Sequence, residues 1–233
     1  MKVKFTNNDI RLGFEIECVV LDTKARDAFG YAKPTGKWNT FKKAIYDLKS
    51  RVGISDDGSI NCRSIDTSVE LRTPPLPPKD AMKLLENIFN IVNKYGLTNN
   101  SCGFHVNISS AHKMKMRRFN PIPFLSSKLW NEILKEFNRG NNEFCRPIIT
   151  KSRKLAKVSI INNLMDRSEE KYRCVNLRHF GNGMRKGSRV EVRGFGNKDY
   201  SKKLETIAEY IKRIERLFKL SYGVFSEVKT PNV

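Results

Sequence analysis

Five short stretches of this chain share one design, and that design constrains its fold more than any other feature. In Gly13-Phe14-Glu15-Ile16-Glu17, the apolar residues Phe14, Ile16 and Cys18 alternate with Gly13, Glu15 and Glu17. This is the period-2 pattern of a strand with one apolar and one polar face. Glu70/Arg72, His105/Asn107, Asn176/Arg178 and Glu191/Arg193 repeat the spacing, each pair separated by an apolar residue. Taken alone, Glu15 and Glu17 read as a solvated strand face. They would lie about 7 Å apart on one surface, and neutralising either is expected to relieve repulsion. Five such strands together predict a sheet whose apolar back packs on helices and whose front is a charged site.

The helices follow from a change of period. Phe41, Ala44, Ile45 and Leu48 predict a helix over residues 40–50, capped by Thr40 or Asn39 and ended by Gly53. Met82, Leu85, Ile88, Phe89 and Val92 predict a second over 79–95 with Gly96 at its C-terminus. Leu129, Trp130, Ile133, Leu134 and Phe137 predict a third over 126–139, ended by Gly140. A last one over 201–221 buries Leu204, Ile207, Ile211 and Ile214. Ser55–Ile60 reads as a tight hairpin, and Pro74-Pro75-Leu76-Pro77-Pro78 as a stiff connector. Periodicity fails between about 140 and 171, which reads as an irregular insertion or lid within a single domain spanning 1–233.

With 233 residues the chain can bury a sizeable core. It has no run of apolar residues long enough for a membrane span, and its first residues lack a signal-peptide apolar region. A cytoplasmic protein without a membrane partner is the expectation. Five dispersed cysteines without a C-x-x-C pair fit reduced thiols, and Cys102 has no base spaced to activate it. The net charge of +20 attracts polyanions, such as nucleic acid or an acidic protein, and also fits a merely solubilising surface.

Carboxylates with one histidine suit a hard divalent cation, Mg²⁺ or Mn²⁺ rather than Zn²⁺, because no thiolate set accompanies them. Arginines beside such ligands suit phosphoryl transfer, where guanidinium neutralises charge in the transition state. Neither a G-x-x-x-x-G-K-[ST] nor a G-x-G-x-x-G element is present. ATP, if used, therefore binds through cations lying on a sheet.

Six motifs occur in order: GFEIE at 13–17, Asp57-Gly58-Ser59, VELRTPPL at 69–76, SCGFHVN at 101–107, KYRCVNL at 171–177 and VEVRGF at 190–195. In this series the chain resembles the amidoligase branch of the glutamine synthetase-like carboxylate–amine ligases, from about residue 11 to 220 and most weakly over 140–170. The resemblance implies an α+β fold with a curved, mostly antiparallel sheet, helices on one face and a metal and ATP site on the other. It implies an ATP-dependent ligase that joins a carboxylate to an amine through an acyl phosphate. By position, Glu15, His105 and Glu191 correspond to the ligands of one metal. Glu17, Glu70 and Asp57 correspond to those of another, although Asp57 reads equally as a turn former. Arg193 corresponds to the arginine that meets the transferred phosphoryl group. Asn107, Arg72, Asn176 and Arg178 are candidates for nucleotide or substrate contacts, with Arg178 equally a solvated strand charge. The chain is far more basic than such an enzyme needs, so an acidic or macromolecular substrate is a further expectation.

Two other classes fit parts of the pattern. Clustered carboxylates with a basic surface suit a metal-dependent nuclease, and the charge alone suits a non-catalytic nucleic-acid-binding module. Arginines and a histidine on alternating strands favour the ligase.

Overall fold

A computed structural model of the chain describes residues 9–26, 32–111, 119–143, 145–147, 173–177, 179 and 188–223. Arg178, the basic run Lys113–Arg118 and most of the expected lid (148–171) lie outside the described residues.

The long strand β1 (Ile10–Val20) sits inside a seven-stranded sheet. A short hairpin, β2 (Lys24–Arg26) and β3 (Ala32–Pro34), stands apart from it. The remaining sheet strands are β4 (Gly53–Asp56), β5 (Thr67–Arg72), β6 (Gly96–Leu97), β7 (Gly103–Ser110), β8 (Val175–Asn176) and β9 (Val190–Gly196). Their order is β4-β5-β1-β7-β9-β8, with β6 also on β1, and each of these pairings is antiparallel. The expected α+β architecture on an antiparallel sheet is what the chain forms.

Alternation does what the sequence analysis expects of it. Phe14, Ile16 and Cys18 of β1, Phe104, Val106 and Ile108 of β7, and Val69 and Leu71 of β5 are all fully or almost fully buried. Phe104 is the hub, its ring within 5.6–5.8 Å of those of Phe14, Phe89, Phe195 and Tyr200. Removing so enclosed a ring costs about 3–5 kcal/mol in comparable cores.

Five α-helices are described: α1 (Gly36–Tyr46), α2 (Pro78–Tyr95), α3 (Pro121–Leu125), α4 (Leu129–Glu136) and α5 (Leu204–Gly223). The helix α2 packs on β1, and α4 packs on β9 with Ile133 facing Gly194. α2 buries Leu85, Ile88, Phe89 and Val92 as the spacing requires. No described helix is long and apolar enough to cross a membrane.

Boundaries differ from the expectation where side chains rather than periodicity decide. α1 starts earlier because Thr35, not Asn39 or Thr40, accepts from the Lys37 backbone N–H. It stops at Tyr46, three residues before Lys49 turns left-handed at φ 52°. Gly53 opens β4 instead of ending a helix. The helix expected over 126–139 forms as the shorter α4, started by the Ser127 hydroxyl, which accepts from the Leu129 N–H, and α3, capped by Asn120, precedes it without having been expected. Asn138, at φ 48°, turns the chain before Gly140 is reached. Gly96 does follow the last residue of α2 as expected, although it is extended and pairs with Val20 in β6. Ser55–Ile60 is not a tight hairpin. β4 returns to β5 through residues 57–66, and Asp57 folds the start of that loop by accepting from the Ser59 N–H and hydroxyl.

Candidate metal and phosphoryl site

Strand register stacks the polar side chains in rows across the open face. Arg72, Glu15 and His105 lie opposite one another on β5, β1 and β7. Asn107, Glu191 and Asn176 form the next row on β7, β9 and β8. Glu17 faces Glu70, which faces Ser55. One extra residue on β9 opposite His105, a bulge between the Phe104/Phe195 and Val106/Val192 pairs, brings Glu191 and Arg193 toward the imidazole.

The centre of the face is a cluster of Glu15, His105 and Glu191, whose ligand atoms all lie within 4.8 Å of one another. His105 Nδ1 is 3.2 Å from Glu15 Oε2 and 3.4 Å from Glu191 Oε1. A ring of polar groups holds the two carboxylates in place. Asn107 Nδ2 donates to Glu15 Oε1 at 3.0 Å, and Asn176 Nδ2 donates to Glu191 Oε2 at 2.9 Å. Arg193 Nη1 donates to Glu191 Oε1 at 2.7 Å. Burial would raise the Glu15 carboxyl, but its bonds to His105 and Asn107 and the nearby Arg189 charge outweigh it and hold it down to about 2. Relief of repulsion on neutralising Glu15, the expectation from strand spacing, is therefore corrected: donors, not a second carboxylate, dominate its surroundings.

Two carboxylate oxygens and an imidazole nitrogen converging from three adjacent strands fit a divalent cation that prefers oxygen and tolerates nitrogen. The donor set suits Mg²⁺ or Mn²⁺ and includes no thiolate. Cys102 is buried, with its thiol pushed up by that burial to about 12, and it takes no part. None of the five cysteines is in a disulfide.

The other expected site residues fall in two places. Glu17 lies on the far side of the imidazole, 3.7 Å from His105 Nε2, and accepts the backbone N–H of Gly103. A Cβ at Gly103 would lie 3.0 Å from His105 Nε2 and 3.1 Å from Glu17 Oε2, so the missing side chain is what lets the two groups meet there. The Tyr200 hydroxyl fixes the Glu17 backbone by donating to its carbonyl at 2.7 Å. Glu70 is spent on Arg72 of its own strand, whose side chain is 59% exposed. Asp57 stands nearby, where its charge reaches Arg72 while its Oδ1 is committed to Ser59. Glu17, Glu70 and Asp57 are thus outside the central cluster.

One arginine joins the site without having been expected, and a second is buried beside the start of β7. Arg189 Nε donates to Asn107 Oδ1 at 2.8 Å, and its Nη2 is 3.8 Å from Glu15 Oε1. Its spacing before Glu191 and Arg193 continues the alternation and would have found it. Arg139 follows α4 and is buried beside Cys102, where it donates to the carbonyl at 2.9 Å. No periodicity marks it.

Comparison with known proteins agrees with the motif series. No curated protein matches the chain. A cryo-EM structure of Plasmodium falciparum glutamine synthetase is similar at 12% identity with a TM-score of 0.44, over 97% of this chain and 53% of that one. The chain therefore spans about half the length of that solved structure. Residues 8–196, well over half of the chain, match the family described as "Putative amidoligase enzyme". With its strand motifs matched in that span, the chain belongs to the amidoligase family.

Proposed function

We propose that the chain is an ATP- and Mg²⁺-dependent carboxylate–amine ligase, with Mn²⁺ an alternative cation. A substrate carboxylate oxygen attacks the γ-phosphorus of ATP and ADP leaves. The amine nitrogen then attacks the acyl phosphate, phosphate departs with the C–O electron pair, and the nitrogen loses a proton to give the amide. The observation that carries this reading is the convergence of Glu15, His105, Glu191 and Arg193 on one sheet face in a member of the amidoligase family.

Glu15, His105 and Glu191 would hold one cation, and Glu17, with Glu70 and Asp57 as more distant candidates, a second. Such a cation, when bound, neutralises phosphoryl charge. Arg193 meets the transferred phosphoryl group through a guanidinium already oriented by Glu191. Asn107 and Asn176 orient the two carboxylates, and Arg72 and Arg178 stand for contacts with the nucleotide or substrate. The net charge of +20 favours an acidic or macromolecular carboxylate partner. We assign residues 1–233 to one catalytic domain acting in the cytoplasm.

The test is phosphate release from ATP and Mg²⁺ with pooled carboxylates and amines. Release is expected only when both pools are present. Glu191→Gln should lower it by at least about 10³-fold with an unchanged circular dichroism spectrum. Release that ignores the amine, or survives Glu191→Gln, overturns the ligase. Nicking of DNA or RNA without ATP would point to the nuclease instead.

A further inference from the structure

Arg139 is a cation buried without an ion pair among the described residues: it is 3% exposed, and its Nε has no hydrogen-bond partner. A guanidinium taken out of water is costly unless a negative charge answers it. Its Nη1 donates to the Cys102 carbonyl at 2.9 Å. Glu17 is the matching case at the other end of the same peptide. It is buried too, and the only hydrogen bond to its carboxylate among the described residues comes from the Gly103 backbone N–H, at 2.5 Å.

The Cys102 carbonyl and the Gly103 N–H belong to one planar, resonance-coupled peptide unit. That single group therefore joins the buried cation to the buried carboxylate. A cation on the oxygen draws electron density along the N–C–O system and makes the N–H a stronger donor, the more so away from water. The surrounding backbone is shaped to allow the meeting. Gly196, at φ +132°, would place a Cβ 2.5 Å from Arg139 Nη1, 2.6 Å from the Cys102 oxygen and 2.9 Å from the Gly103 Cα. Only a residue without a side chain lets those three groups close up. The next residue, Asn197, donates its own N–H to the same Cys102 oxygen at 2.8 Å, and its Nδ2 donates to the Phe137 carbonyl at 3.1 Å. The peptide is thus gripped from two sides, and the turn that carries Arg139 is pinned against it.

We propose that Arg139 is a positioning residue for Glu17: its charge, passed through the Cys102–Gly103 peptide, holds the Glu17 carboxylate beside His105. Arg139 and Glu17 are each other's counter-charge, one peptide apart. The bearing of this relay on catalysis rests on the ligase reading, in which Glu17 is a ligand of the second cation. The relay itself needs no cation, nucleotide or amine.

The test is amide hydrogen exchange of the metal-free full chain, read residue by residue by nuclear magnetic resonance. Arg139→Gln keeps an N–H for the carbonyl and loses the charge. Protection of its Gly103 amide should fall at least about tenfold, and the Gly103 proton resonance should move upfield. The other protected amides of β7 and β9 should stay within about twofold, a margin well below one charged hydrogen bond. Arg139→Lys puts a cation back on the carbonyl and should return Gly103 toward its wild-type protection and resonance. A purely structural arginine would instead lower protection evenly along β7, with lysine no better a replacement than glutamine. Mn²⁺ titration reads the consequence for the site. Arg139→Gln should weaken the second cation about tenfold, as loss of an outer-shell partner does, and leave the one at Glu15, His105 and Glu191 unchanged.

The proposal is overturned if the Gly103 amide is unprotected in wild type, or if its protection in Arg139→Gln stays within about twofold of wild type. An even loss along β7 overturns it, as does failure of the glutamine and lysine variants alike to fold, which assigns the arginine to structure alone. A second-cation affinity that ignores Arg139→Gln overturns the positioning role. Wild-type protein that binds a single Mn²⁺ removes the second cation from the ligase reading, and the exchange data then decide the relay alone. Because exchange is measured without ATP or amine, failure of amide formation leaves the relay standing, and its own failure leaves the ligase standing.

Discussion

Two groups of acids on the same sheet face have opposite fates. Glu15 and Glu191, on β1 and β9, meet at the imidazole of His105, and each is held by an asparagine from a neighbouring strand. Glu70 and Asp57, toward the β4–β5 edge, are satisfied by residues two positions away in their own segment, Arg72 and Ser59. The difference is one of sequence distance. A carboxylate positioned by partners 15 or 92 residues away is fixed by the whole sheet. One satisfied by a near neighbour keeps its place even if the sheet shifts, and it is free to exchange that partner. Central strands therefore make a preorganised cluster, and the edge makes a pair that a ligand must first unlock.

The sharpest way to break that contrast is to disturb the centre without touching an acid. Gly103→Ala would place a Cβ 3.0–3.2 Å from His105 Nε2 and both Glu17 oxygens, and also crowd the Gly103 N–H bond to Glu17. We expect ATP turnover to fall about a hundredfold, with Mn²⁺ affinity falling in parallel and the melting temperature nearly unchanged. A variant with normal turnover would show that Glu17 and the imidazole need no exact placement. At the edge, Glu70→Gln releases Arg72 but leaves the cluster whole. Turnover should change only about threefold, as for a surface ion pair, and mainly in the KM for ATP. A loss as large as that of Gly103→Ala would mean the edge acids are ligands of equal standing.

The smallest effect concerns acid stability of the metal-free protein. The Glu15 carboxyl lies near 2 in the folded chain against about 4.3 in an unfolded one. Its ionised form therefore stabilises the fold fully above about 4.3. That contribution fades as pH falls through the folded value of about 2. Glu15→Gln should melt a few degrees lower than wild type at pH 7, with the gap closing between about pH 4 and pH 2. A constant gap across that range would assign the loss to packing.

How much of this was legible in the sequence depends on what each feature rests on. The strands and their shared polar face were, because alternation in β1, β7 and β9 puts Glu15, His105 and Glu191 on one side whatever the loops do, while the family resemblance singled out those three. Helix boundaries were not, since Thr35, Asn120 and Ser127 decide them through single side-chain bonds that leave no period. The separation of Glu17 from Glu15 was implied by the family resemblance and not by spacing. Spacing puts both on one face, and only the Gly103 N–H and the imidazole between them send the carboxylates to opposite sides. Arg189 was readable from the same alternation, whereas Arg139 comes to the Cys102 carbonyl from a turn after α4, where no pattern points.

Phe104 and His105 are neighbours on β7, one at the centre of the ring cluster and the other at the centre of the acid cluster. The protein's interior and its acid cluster consequently share a single peptide link, so there is little slack between softening of one and loss of the other. Where reactive groups ride on loops, heating commonly silences them well before the body melts. Here, the proposed ATP turnover and the near-ultraviolet dichroism of the rings should decline together over one temperature interval, making the acid cluster a thermometer of the core beneath it.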